Sequence, residues 1–201
     1  MGERLFSPTP LSKVIEGKKE QLRQAVNEHD ANAFMGTSDE ELRRHFIDTF
    51  KAEPLELLED QLGREKPKEV DVDVRNDRFR DPFDPPTVRG AQYTIVVPFS
   101  GDAGLFGCYP SNQTTYKPNG TVRGNELRLS YTRTDHDAAA LKQQIEQDLG
   151  SIRQYVDSIN HELADYNKEL PGRVNDLISW RRNKIINCRE TLGVRHGSGI
   201  V

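Results

Sequence analysis

The sequence predicts an α+β fold: helices at the N-terminus, a small, mostly antiparallel sheet in the middle, and a long, coiled-coil-like antiparallel helical hairpin at the C-terminus. Three observations predict it. Apolar residues recur at helical spacing before residue 66, alternate with polar ones in short runs between 67 and 134, and step by four and three from Leu141 to Leu170. The expected segments are 1–66 (helical), 67–134 (sheet), 135–194 (hairpin) and a flexible tail, 195–201.

Leu11, Val14, Ile15, Lys18, Leu22, Ala25, Val26 and His29 recur at helical spacing, Lys18 being the exception on that face, and define an amphipathic helix of about five turns with Ser12 at its start. Ser38 followed by Glu41 is a capping box, in which each side chain satisfies a backbone N–H that the first turn leaves unpaired. Leu42, Phe46, Ile47 and Phe50 are the buried face of the helix it opens. Pro54 suits the first turn of a third, short helix through Leu55, Leu58 and Leu62 that ends at Gly63. Residues 36–65 hold nine acidic and four basic side chains, a net of −5, which reads as a solvated helical surface.

Val70, Val72 and Val74 alternate with Asp71, Asp73 and Arg75, a strand with one wet face. Residues 76–90, with Pro82, Pro85 and Pro86 among aspartates and arginines, read as a loop. Strands are expected over 93–97 and 105–109, joined by a turn at 100–104; Pro118-Asn119-Gly120 marks a further turn, and Val122 a strand edge. Residues 126–132 alternate again, with Leu127, Leu129 and Tyr131 on one face. The connections are too short for helical crossovers, so the pairing is antiparallel.

In the last third, Ile145, Ile152, Ile159 and Tyr166 form one seven-residue series and Leu149, Val156, Leu163 and Leu170 another, the two apolar positions of a heptad. Asp135 or Asp137 caps the start. Beyond Pro171-Gly172 the apolar set Val174, Ile178, Ile185, Cys188 and Leu192 is out of phase by one residue, which favours two helices folded back at a tight turn, the second ending at Gly193. The candidate interaction surface is Ile145, Leu149, Ile152, Val156, Ile159 and Leu163, through which the chain would meet a second copy or an effector protein.

Residues 179–196 carry a net charge of +4. Trp180, Arg181, Arg182, Lys184 and Arg189 are therefore the candidate nucleic-acid contacts. The competing reading is that these cations complement the C-terminal end of a helix dipole.

Catalytic patterns are sparse. His29, His45, His136, His161 and His196 form no HxH, HxxxH or HExxH pair, and Asp135-His136-Asp137 sits where an aspartate already serves as a cap. Cys108 and Cys188 stand outside any CxxC cluster. The turn 100–104 lacks the lysine and following helix of a phosphate loop. No catalytic residue, metal or cofactor is assigned, and the chain is read as a non-enzyme. The net charge of −4 argues against a general nucleic-acid coat. No run approaches about 18 apolar residues, and Met1 to Phe6 lack a secretory apolar core, so a cytoplasmic protein without membrane contact is expected.

The stretch 96–194 resembles the N-terminal region of modular bacterial defence-type proteins. The residues that carry the resemblance are Pro98-Phe99-Ser100-Gly101, Phe106, Tyr109-Pro110-Ser111, Val122-Arg123-Gly124-Asn125-Glu126-Leu127, Ile152-Arg153-Gln154-Tyr155, Asn167-Lys168-Glu169-Leu170, Arg181-Arg182-Asn183-Lys184 and Leu192-Gly193-Val194. The resemblance implies that a nuclease-like or Toll/interleukin-receptor-like effector domain follows this region, with any catalytic residues lying there. It also implies structural roles for Phe99, Gly101, Phe106, Pro110, Gly124 and Leu127. The expectation is a non-catalytic sensing or assembly module of an antiphage defence system acting through protein contacts. The alternative is a nucleic-acid-binding component of such a complex.

Overall fold

The computed structural model describes residues 2–75, 83, 85–112, 116–135 and 137–196. In chain order the elements are β1 (Glu3–Arg4), β2 (Thr9–Pro10), α1 (Leu11–Glu28), α2 (Ala31–Gly36), α3 (Asp39–Phe50), β3 (Glu56–Leu57), β4 (Gly63–Arg64), β5 (Lys68–Asp73), β6 (Thr87–Ser100), β7 (Cys108–Tyr109), β8 (Asn119–Arg123), β9 (Glu126–Arg133) and α4 (Ala138–His196). The main sheet is antiparallel, as expected; a separate two-stranded pair, β2 with β7, is parallel. Two compact units share the chain. One is built from Met1–Leu11 and Pro54–Asn160, the other from Ser12–Glu53 and His161–Val201, so α4 contributes its first part to one and its second part to the other.

In the first unit β6 is the hub. Its fourteen residues pair with β9 along one side, while β3, β4 and β5 take successive stretches of the other. The partners Tyr93↔Tyr131, Ile95↔Leu129 and Val97↔Leu127 put one apolar row on one face; the alternate row, Thr94↔Ser130 and Val96↔Arg128, is more polar. Leu127, Leu129 and Val97 are fully buried, as are Ile152 and Ile159 on the helix. An aromatic cluster closes the other end: Phe6 stacks on Tyr155 with ring centroids 4.4 Å apart, and Phe106 meets Phe99 edge-on at 4.9 Å. Phe6 holds a left-handed backbone (φ 53°), which its buried ring and a 2.6 Å bond from its N–H to the Phe106 carbonyl keep in place.

The second unit is helical. The Ser38–Glu41 capping box forms as expected, and Asp30 caps α2, a helix too short for periodicity to reveal. Leu22, Val26, Phe34, Leu42 and Phe46 are buried there, together with Leu163, Tyr166, Leu170, Val174 and Ile178 of α4.

The expected hairpin does not form: α4 runs unbroken through Pro171. The buried positions Leu163, Tyr166, Leu170, Val174 and Ile178 step by three, four, four and four. Leu163 to Val174 is therefore eleven residues, three turns at about 3.67 residues per turn, and the change of phase keeps one apolar face on one continuous helix. Pro171 leaves the Asn167 carbonyl without its helical partner, at a cost of about 3 kcal/mol. Burial of Leu170, Val174 and Ile178 contributes about 1.5–3 kcal/mol each and offsets it.

Other expectations are corrected in the same way, by tertiary pairing that overrides local signals. The short helix expected from Pro54 is instead extended, with Glu56 and Leu57 paired to Ser100 and Phe99, followed by one 3-10 turn at Glu59–Gln61. The strand expected over 105–109 is mostly a 3-10 turn, Ala103–Gly107, capped by Asp102. The turn expected at 118–120 is instead the start of β8, which opens at Asn119; a Cβ on Gly120 would lie 3.0 Å from both Leu127 and Leu5, so glycine serves close packing there, and the turn is at Gly124-Asn125. Helix α4 passes the expected stop at Gly193 and takes in Arg195 and His196 of the expected tail, while 197–201 lie outside the described residues. Most of the loop read over 76–90 (76–82 and 84) also lies outside them, and the end of that stretch, from Thr87, is strand.

Candidate functional site

The first unit contains an open groove of about 520 Å³ where β4, β6 and the first turns of α4 converge. A register shift opens it. Arg64 pairs with Ile95 and Lys68 with Gln92, so four steps along one strand face three along the other; the extra residue is a bulge at 65–67, where Pro67 has no N–H to give. Glu65 alone keeps a link, donating its N–H to the Thr94 carbonyl at 3.0 Å. Tyr93 and Ile95 share one face of β6, Leu141 and Ile145 lie one helical turn apart on α4, and all four line the groove. Tyr93, Leu141 and Ile145 are only half-buried.

Four charged residues line its rim. Glu65 pairs with Arg128 at 2.6 Å, a guanidinium that Glu126 shares at 2.9 Å. Glu146 contributes a carboxylate, and its charge also acts on Arg153. Arg64 and Lys142 are exposed and make no ion pair among the described residues.

One turn beyond Ile145 lies Asp148, 5% exposed, whose carboxylate accepts a hydrogen bond from the Tyr116 hydroxyl. That bond, then burial, pushes the Tyr116 phenol up to about 12. Tyr131, opposite Tyr93 on β9, is also buried; its hydroxyl has no hydrogen-bond partner among the described residues. Burial first, then the nearby Asp148 charge, holds that hydroxyl far above the ordinary phenol range.

Asp137, not Asp135, caps α4: its carboxylate accepts from the N–H groups of Ala139 and Ala140 at 3.0 and 2.9 Å. His136 lies outside the described residues. His161 and Asp165 face each other on the exposed helix surface at 3.8 Å.

The proposed interaction seam is not available to another chain in this fold. Leu149, Ile152, Val156, Ile159 and Leu163 are buried within the protein itself, and Ile145 is half-buried in the groove wall. A heptad stripe records that a face is covered, not what covers it.

The proposed nucleic-acid residues lie on the second unit, and their cations are largely engaged. Arg181 donates to the His29 carbonyl just past α1, and Arg182 to the Thr37 carbonyl past α2 (2.6 Å) and to Asp39 (2.5 Å). Both satisfy carbonyls at neighbouring helix ends. Lys184 reaches Asn27, and Arg189 reaches Asn32 at 2.8 Å. Trp180 stays half-exposed, with the Lys184 ammonium 4.8 Å from its ring centre.

Arg64, Glu65, Lys142 and Glu146 carry no motif, and only the bulge and the seating of α4 bring them together. No helix among the described residues is long and apolar enough to cross a membrane. Set against known proteins, the chain matches no family model, no curated protein and no solved structure.

Proposed function

We propose that the chain is a non-catalytic sensing module of a bacterial defence system, in which occupancy of the groove governs contact with a protein partner, either a second copy or an effector. The groove carries this reading: it lies within the roughly 300–1,000 Å³ range of small-molecule sites, has an apolar floor and a few charged groups at its rim, and rests on a helix and a strand that hold it open. The defence setting rests on the resemblance across 96–194. The cytoplasmic setting is part of the same proposal. Because the heptad seam is spent inside the chain, the partner surface lies elsewhere.

The test is light scattering coupled to size-exclusion chromatography across micromolar concentrations, with and without 1-anilinonaphthalene-8-sulfonate as a groove probe. The reading expects probe fluorescence to rise on binding, the mass distribution to change with it, and both to be lost in Ile145→Trp, which fills the groove. A mass that stays that of one chain throughout, with probe binding unaffected by Ile145→Trp, contradicts it.

A second reading, a nucleic-acid-binding component, is supported by the half-exposed Trp180 beside Lys184. Its test is salt-dependent binding to short single strands, which Trp180→Ala should abolish. Absence of binding at low salt removes it.

A further inference from the structure

The geometry points to a specific class of ligand for the groove: a single-chain amphipathic anion, with an apolar body and one carboxylate or phosphate head group held between Arg64 and Lys142. This inference rests on the reading of the groove as a sensing site.

The floor sets the body of the ligand. Tyr93, Ile95, Leu141 and Ile145 offer mostly apolar surface in a groove of about 520 Å³, with the Tyr93 hydroxyl the one polar side-chain group among these four.

The rim sets the head group. Of its four charged residues, Glu65 is spent on Arg128 at 2.6 Å, with Lys68 3.7 Å away on its other oxygen. The cations Arg64 and Lys142 have no ion-pair partner among the described residues, and against them stands Glu146, which also faces the charge of Arg153. A cationic head group would meet two unpaired positive charges, whereas an anionic one would meet donors. Arg64 supplies a planar fork that matches a carboxylate or phosphate, and Lys142, exposed on the first turns of α4, adds a second cation to the lining. The start of α4 does not supply the donors: Asp137 already takes the N–H groups of Ala139 and Ala140. The head group is therefore held by side chains.

Calorimetric titration of the full chain tests this with dodecanoate, dodecyl phosphate and dodecyltrimethylammonium, all below their micelle-forming concentrations. At least one anion should bind ten times or more tighter than the cation, and the better anion identifies the head group. Affinity should rise about fourfold per methylene from decanoate to dodecanoate. The double substitution of Arg64→Ala with Lys142→Ala, at exposed positions, should erase the preference for anions while leaving the circular dichroism spectrum unchanged. Equal binding of anion and cation, or a preference that survives the double variant, overturns the assignment of the ligand while the groove still binds. No binding of any of the three, or binding indifferent to Ile145→Trp, overturns the sensing site itself.

Discussion

Asn167 grips both polar groups of the Ala52 backbone: its Oδ1 accepts the Ala52 N–H at 2.9 Å, and its Nδ2 donates to the Ala52 carbonyl at 2.9 Å. One heptad earlier Asn160 does the same to Leu55, at 2.9 and 2.8 Å. One heptad earlier again, Arg153 makes a two-point contact with the Glu59 carboxylate, and that bond, more than the charge alone, holds Glu59 below the usual carboxylate range. Each amide mimics a neighbouring strand for a segment that has none at Ala52 or Leu55. Asn167→Ala leaves two backbone groups of the buried Ala52 unpaired, and thermal or denaturant unfolding should register a loss of about 1–3 kcal/mol. Lys168→Ala, next to it on the exposed side, should change stability by less than about 0.5 kcal/mol. Equal effects of the two would contradict the grip.

Pro171 lies inside a helix, so Pro171→Ala should restore a backbone hydrogen bond and raise stability by up to about 3 kcal/mol. At a hairpin turn the same change would lower it. Spin labels at His161→Cys and Asn183→Cys, with Cys108 and Cys188 replaced, give a second readout. The unbroken helix sets them about 33 Å apart at 1.5 Å per residue, whereas a fold-back at Pro171-Gly172 would bring them to about 10 Å.

Gly101 should tolerate no side chain. Its φ is +98°, and a Cβ built on it would lie 2.2 Å from the Pro54 carbonyl oxygen. Gly101→Ala combines backbone strain with a backbone clash and should cost about 1–3 kcal/mol or more by chemical denaturation. A neutral result would mean that the approach of Pro54 to this turn is wrong.

The Tyr116 phenol, raised by its bond to Asp148, gives a signed pH dependence. A folded-state pKa above the ordinary value of 10.0 contributes stability that is complete below about pH 10 and is lost as pH climbs through about 12. Subtracting the tyrosinate absorbance titration of Tyr116→Phe from that of the parent should leave a curve centred near 12. A curve centred near 10 would contradict the contact.

Much of the architecture was legible in the residues. Alternation located β5, the centre of β6 and β9, and the Ser38–Glu41 box located α3, because these signals depend on neighbours a few positions away. What failed depends on distant partners. The backbone at Leu55 is held by Asn160, so Pro54 starts no helix; Pro171-Gly172 reads as a turn only if the gain from burying Leu170, Val174 and Ile178 is ignored. The apolar stripe of α4 was plain, but not that the chain itself would cover it. The cations at Arg181 and Arg182 were visible; the carbonyls of His29 and Thr37 that engage them were not. The groove was the least legible, since a one-residue bulge beside Pro67 creates it.

The most direct test of the central claim, that this groove takes a ligand, is an amide chemical-shift map of the isotope-labelled full chain titrated with dodecanoate. The account predicts amide shifts concentrated in the segments that supply the groove's lining, 64–66, 93–95 and 138–146, and their disappearance in Ile145→Trp. Shifts that gather instead around 180–189, or that persist unchanged in Ile145→Trp, would contradict it.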